Sequence, residues 1–114
     1  MLQQATSLDL AFQALADPVR RTMVERLSRG PATVSELARP LAMSLSAIGQ
    51  HLRVLETSGL VRSAKVGRLR TCWIDPAGLL VTGRWIIARQ ASVERDLERL
   101  GEHLAAPTDP WRDP

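Results

Sequence analysis

At 114 residues the chain has room for one domain around one core. Its 45% apolar and 24% charged composition is that of an ordinary water-soluble domain, and its single cysteine excludes an intramolecular disulfide framework. The formal net charge is +3, and 14 of the 15 basic residues are arginines. Apolar runs such as Leu79-Leu80-Val81 and Trp85-Ile86-Ile87-Ala88 are too short to span a bilayer. Met1-Leu2-Gln3-Gln4 lacks the basic stretch and apolar core of a secretory signal, so a cytoplasmic protein is expected.

Residues 1–7 read as a flexible N-terminus. Leu8, Leu10, Ala11, Phe12, Leu15 and Ala16 form a short apolar helix that stops at Asp17-Pro18. Asp17 caps a second helix with proline at its first position, and Val19, Met23, Val24 and Leu27 make its inner face. Gly30-Pro31 stops it. Thr33-Val34-Ser35-Glu36 is a capping box opening a third helix, expected from Val34 to Leu41. After the tight connection Ala42-Met43, Ser44 caps a fourth helix running to about Ser58, ended by Gly59. Within it Ile48, Leu52 and Leu55 form a buried stripe at helical spacing, leaving Ser46, Ala47, Gln50, His51 and Arg53 on the other side. Leu60–Val66 and Leu69–Ile74, joined by Gly67-Arg68, read as a β-hairpin with a basic tip. Asp75-Pro76 starts a long helix to about Ala106, in which Leu79, Ile86, Val93 and Leu100 recur every seven residues, with Gln90, Leu97 and Leu104 at complementary positions. Gly78 and Gly83 weaken its first turns. Residues 107–114 are a proline-rich flexible tail.

The predicted fold class is therefore mainly α with a small β-hairpin, a winged helix-turn-helix, in one domain over residues 8–106. Its last helix, residues 76–106, would be about 45 Å long, against a radius of gyration near 13 Å for a domain of this size. One protomer cannot cover such a helix, so its heptad seam calls for a homodimer. The expected dimer interface comprises Leu8, Phe12, Leu79, Trp85, Ile86, Val93, Leu97, Leu100 and Leu104. Trp73 and Ile74 read as core or interface.

Charge placement points to an anionic partner. Between Ser44 and Arg70 the basic residues Arg53, Arg62, Lys65, Arg68 and Arg70 face one acid, Glu56, a local net charge of +4 (5 − 1) that exceeds the whole chain's. From Arg89 to Glu102 the signs alternate, as on a solvated helix face.

Ala14-Leu15-Ala16-Asp17-Pro18-Val19-Arg20-Arg21 resembles the opening signature of the ArsR/SmtB family of bacterial repressors. Ser35-Glu36-Leu37-Ala38, then Ser44-Leu45-Ser46-Ala47-Ile48-Gly49-Gln50-His51-Leu52-Arg53-Val54-Leu55-Glu56, then Gly59-Leu60-Val61, Gly67-Arg68 and Trp73-Ile74-Asp75-Pro76 continue it in order. The resemblance covers about residues 8–88. It implies a dimeric winged-helix protein that binds double-stranded DNA at an inverted-repeat operator and represses transcription. Many family members release DNA when a metal binds. This chain departs from that pattern: Ala38-Arg39-Pro40 follow Glu36-Leu37 where the third-helix cysteines would stand. Asp75 is alone at the start of the last helix, with His103 roughly 28 residues further on. Zinc needs about four ligands in one shell, so no metal at the usual family sites and no cofactor are expected. The chain is closer to the family's non-metal, SdpR-like branch.

A fourth helix in the major groove would direct its N-terminal half toward bases. Ser44 is a cap in any reading, and a phosphate contact as well if the helix N-terminus meets DNA. Ser46 suits a base or phosphate, and Ala47 a thymine methyl. Gln50 can bond adenine at two points, His51 can reach a phosphate or guanine, and Arg53 a phosphate. Lys65, Arg68 and Arg70 make the wing basic, and arginine at a hairpin tip is favoured in a minor groove. Each of these is otherwise an ordinary surface residue.

Three other readings remain. An enzyme finds little support: two histidines, one cysteine, no tyrosine and no glycine-rich phosphate loop provide no nucleophile–base pair and no cofactor fingerprint. A winged-helix protein-interaction module would usually lack the basic wing. An effector-responsive repressor would sense oxidants at Cys72, or hold a non-standard metal at His103 with Glu102 or Asp96. A structural thiol is the plainer role for Cys72.

Overall fold

Thr6 opens the first helix with a reciprocal cap: its Oγ1 accepts from the Asp9 amide (3.1 Å) while Asp9 Oδ2 accepts from the Thr6 amide (3.2 Å). A computed structural model describes residues 6–105. The element order is α1 (Ser7–Leu15), α2 (Pro18–Leu27), β1 (Ala32–Thr33), α3 (Val34–Ala38), a 3₁₀ turn (Arg39–Leu41), α4 (Leu45–Thr57), β2 (Val61–Val66), β3 (Leu69–Ile74) and α5 (Pro76–Ala105). The expected flexible segment at residues 1–5, the last helical residue Ala106 and the tail 107–114 lie outside the described residues. Ser7, expected in the flexible segment, is the first residue of α1.

The molecule divides into two units, one through Thr82 and one from Gly83. In the first, the core gathers Ala11 and Ala14 of α1, Met23 and Leu27 of α2, Leu37 of α3, Ile48, Leu52 and Leu55 of α4, and Leu60, Val61 and Cys72 of the hairpin region. The apolar spacing of each helix dictates this, and the caps set where each begins. Asp17 Oδ1 accepts from the amides of Val19 (2.8 Å) and Arg20 (3.1 Å). Thr33 and Glu36 form the expected capping box. Ser44 Oγ accepts from Ala47 N–H at 3.1 Å, and Asp75 Oδ1 from Ala77 N–H at 3.0 Å.

Two further features differ from the sequence expectation. The third helix stops at Ala38 rather than Leu41 and tightens into the 3₁₀ turn, because Pro40 cannot donate an α-helical hydrogen bond. Ala42 then takes a left-handed conformation (φ 52°) that turns the chain toward α4. The hairpin also gains a third strand: β1 pairs antiparallel with β3, Ala32 opposite Cys72 and Thr33 opposite Thr71, giving the sheet order β1-β3-β2. Thr33 serves both purposes, since an N-cap residue has extended backbone that can also join a sheet.

The β2–β3 register runs from Val61 opposite Ile74 to Val66 opposite Leu69. Gly67 has φ +63° and Arg68 does not, the pattern of a two-residue type II′ turn. The second unit is the helical stretch from Gly83 to Ala105. Ile86, Ile87, Val93, Leu97 and Leu100 are exposed on it, the Arg89 guanidinium lies 5.2 Å from the Trp85 ring centroid, and Arg99 pairs with Asp96.

Candidate nucleic-acid interface

Helix α4 buries Ile48, Leu52 and Leu55 at no more than 3% exposure. At 100° per residue, the stripe opposite them carries Ser46, Gln50 and Arg53, all exposed. Leu45, at the first helical position, is also exposed and was not singled out from the sequence. An isolated apolar residue there carries no sequence signal, because an exposed and a buried leucine look alike.

Ala47 and His51 lie on the flank of α4 rather than on this stripe, and both are half-buried. His51 Nδ1 is 3.2 Å from Arg20 Nη1. A guanidinium has only donors, so Nδ1 is the acceptor and the ring proton sits on Nε2. The same guanidinium donates from Nε to the Ala14 carbonyl (2.7 Å) and from Nη2 to the Gln13 carbonyl (3.2 Å), while Arg21 donates to the Leu15 carbonyl (2.7 Å). The Asp17-Pro18-Val19-Arg20-Arg21 run thus caps α2 at its start, closes the C-terminus of α1 and reaches α4. Amide donation, from Arg20 above all, holds the Asp17 carboxyl below the usual aspartate range, helped by the nearby Arg20 guanidinium. In the same way the Thr33 amide holds Glu36 low.

In the wing, Lys65 stands directly opposite Arg70, on the sheet face that also carries Ser63 and Cys72. Like charges directly opposed across a ladder are destabilising. Arg70 is tethered: its Nη1 donates to Ser63 Oγ (2.8 Å), which donates to Glu56 Oε1 of α4 (2.5 Å). This chain of hydrogen bonds joins both wing strands to the C-terminal half of α4. Val34, Gly49, Leu52, Arg53, Glu56 and Arg70 line a surface cleft between α4 and the wing. Arg68 is exposed at the tip. Arg53 and Arg70 thereby share one cleft, while Gln50 and Arg53 line a second one beside Leu10 and Gln13 of α1.

Cys72 is fully buried, and burial pushes its thiol up to about 11, with the Glu56 carboxylate adding and Arg70 opposing. Among the described residues no three His, Cys, Asp or Glu side chains are grouped to hold a metal ion, and no helix is long and apolar enough to cross a membrane. Of the expected dimer contacts, Leu8 and Leu104 are half-buried, and Leu79 is packed against the core of the first unit. Phe12, Trp85, Ile86, Val93, Leu97 and Leu100 are between 37% and 60% exposed.

Comparison with known proteins agrees with this geometry. A family model described as a helix-turn-helix domain matches residues 15–64. The HTH-type transcriptional regulator Rv2034 of Mycobacterium tuberculosis is 52% identical over 73 residues, 64% of this chain and 68% of that protein. A transcriptional repressor SmtB homolog of Synechocystis is 39% identical over 67 residues, 59% of this chain and 51% of that protein. The chain thus spans about two thirds of the first relative and about half of the second. The crystal structure of an ArsR family transcriptional regulator, RHA00566, superposes with a TM-score of 0.73 at 47% identity, covering 82% of this chain and 97% of that one. Sequence signature, helix-turn-helix and wing converge: the chain belongs to the ArsR/SmtB family of winged helix-turn-helix transcriptional regulators, DNA-binding proteins rather than enzymes.

Proposed function

We propose that the chain is a homodimeric, sequence-specific repressor in the cytoplasm that binds an inverted-repeat operator without metal at the family's usual positions. The observation that carries this reading is the exposed stripe Ser46, Gln50 and Arg53, set opposite a fully buried one on a capped helix and beside a basic wing. Such a helix fits the major groove, which admits one α-helix and presents a distinct donor–acceptor pattern for each base pair. In this reading Gln50 contacts a base, and Ser44, Ser46, Arg53 and Lys65 contact backbone or base edges. Ala47 meets a thymine methyl, and Arg68 enters the adjacent minor groove. Arg70 holds the wing against α4 while adding positive charge near the backbone. His51 presents Nε2–H to a phosphate from the flank of α4.

Ile86, Val93, Leu97 and Leu100 supply an apolar seam on the second unit suited to a second copy, which would duplicate the reading helix for the two half-sites. Repression agrees with the name carried by the Synechocystis relative. The redox alternative is disfavoured by Cys72, whose buried thiol has little thiolate at neutral pH.

The test is a gel shift of the protein with its own upstream region against a shuffled competitor, across a salt series, with and without chelator. Specific, salt-sensitive and chelator-indifferent binding is expected. Absence of specific binding there and in random-sequence selection overturns the reading, and loss of binding with chelator overturns its metal-free part.

A further inference from the structure

We infer that the cleft between α1 and α4 is an effector site for a small amphipathic carboxylate, whose binding draws Gln50 and Arg53 away from DNA. The inference rests on the DNA-binding reading above and goes beyond it to a ligand class and a means of release. The cleft has a volume of about 380 Å³ and is lined by Leu10 and Gln13 of α1 and by Gln50, Arg53, Val54 and Thr57 of α4. Its α4 wall is a single stripe, since residues at i, i+3, i+4 and i+7 share one helix face. The exposed stripe that begins at Ser46 therefore continues down α4 into the cleft, and Gln50 and Arg53 belong to both. Val54 is 39% exposed on this wall, and Leu10 is half-buried on the wall formed by α1.

The chemistry of the lining identifies the ligand. Small-molecule sites are commonly clefts of roughly 300–1,000 Å³ with apolar walls and a few convergent polar groups. Here Leu10 and Val54 offer aliphatic surface, and the lining holds one cation, Arg53, and no acid. Among the described residues the Arg53 guanidinium makes no hydrogen bond or ion pair. A guanidinium is a fork matched to a carboxylate, and Gln50 and Thr57 add uncharged donors beside it. A second copy of the chain is a poorer match. Leu10 is two residues from both Leu8 and Phe12, so at 100° per residue it lies across α1 from those expected dimer contacts. A protein seated over the cleft would also keep Gln50 and Arg53 covered, whereas a small molecule can leave and return them to DNA.

The test uses the full chain with sodium octanoate as the probe. Acetate, which lacks the apolar body, and octanamide, which lacks the charge, are the controls at matched ionic strength. The methyl resonances of Leu10 and Val54 are followed by NMR without DNA, and affinity for an operator recovered by random-sequence selection is measured in parallel. Octanoate is expected to shift both sets of methyls saturably and, at saturation, to raise the operator Kd at least roughly tenfold. Octanamide and acetate are each expected to bind at least roughly tenfold more weakly, the first for want of a charge-assisted hydrogen bond and the second for want of apolar contact. Val54→Phe fills the cleft at a position outside the proposed DNA contacts. It is expected to bind operator as wild type does and to lose both the Leu10 shift and the release by octanoate. Far-UV circular dichroism checks that it keeps its fold, and the milder Val54→Ala is expected to weaken octanoate binding roughly threefold.

Methyls that do not shift saturably overturn the inference, as does octanamide binding as tightly as octanoate, or Val54→Phe responding to octanoate as wild type does. Saturable binding that leaves operator affinity unchanged overturns the effector role. A Val54→Phe chain of altered oligomeric mass shows a second copy in the cleft and overturns the ligand site. Wild-type protein that selects no sequence and binds no duplex refutes the DNA-binding reading itself, whereas the methyl shifts, recorded without DNA, decide separately whether the site exists.

Discussion

Gln50 and Arg68 differ in what they can contribute, although both are exposed. A carboxamide has a donor and an acceptor in one plane and can match adenine at two points, worth roughly 1–3 kcal/mol of discrimination. A guanidinium in a groove adds affinity to every sequence. Gln50→Ala is accordingly expected to relax base preference at one position with modest loss on non-specific DNA. Arg68→Ala is expected to weaken all sequences alike, and selection on both variants with a salt series checks the pair. Asp17 and Glu36 make stability depend on pH. Their carboxyls are held below ordinary values of 3.8 and 4.5 by amide donors. The stability they contribute is therefore fully present above those values and is lost as pH falls through the lower folded ones. Asp17→Asn keeps a capping oxygen but cannot titrate, so its melting temperature should fall less steeply below about pH 4 than wild type. Cys72 should resist alkylation at neutral pH in the folded protein and react on unfolding, as mass spectrometry across a denaturant series would show.

Elements meet through backbone as well as side chains, and α5 shows it. A Cβ built on Gly78 would lie 2.1 Å from the Gly59 carbonyl oxygen and 2.7 Å from its carbonyl carbon, atoms that cannot swing aside. The first turn of α5 thus requires glycine for close approach to the end of the α4 connection, which the sequence alone suggested only as a weak point in a helix. Gly78→Ala is expected to destabilise the protein by about 1–3 kcal/mol despite its helix propensity. Gly83, with open space at its Cβ position, should tolerate alanine and gain up to about 1 kcal/mol. Urea denaturation of the two variants checks the contrast. The hydrogen-bond chain from Glu56 through Ser63 to Arg70 is a second such junction. None of its three residues announces a pairing, because they lie seven residues apart on three different elements.

For the whole molecule, the proposed dimer rests on the apolar seam of the second unit. Leu97→Glu places a charge on that seam and is expected to yield monomers at micromolar concentration and to lower affinity for the full operator to that for a half-site. Binding of the monomer to a half-site should persist weakly, as the stripe on α4 belongs to the first unit. Sedimentation equilibrium paired with gel shifts on full and half operators separates the two. An unchanged dimer would place the interface elsewhere.

Capping residues, proline positions and helical periodicity are local, so the starts of α2, α3, α4 and α5, the hairpin with its turn, and the burial of Ile48, Leu52 and Leu55 were legible in the chain itself. The stripe of Ser46, Gln50 and Arg53 was legible for the same reason, as it is what remains when the buried face is known. Tertiary structure decided what depends on residues far apart. It supplied β1, whose two residues become a strand only through β3 nearly 40 positions later. It turned His51 toward Arg20 and tied Arg70 to Glu56, separating residues that sequence had grouped as equals. Those distinctions arise because a charged side chain's partner is chosen by the geometry of neighbouring elements, and pattern along one element carries no record of it.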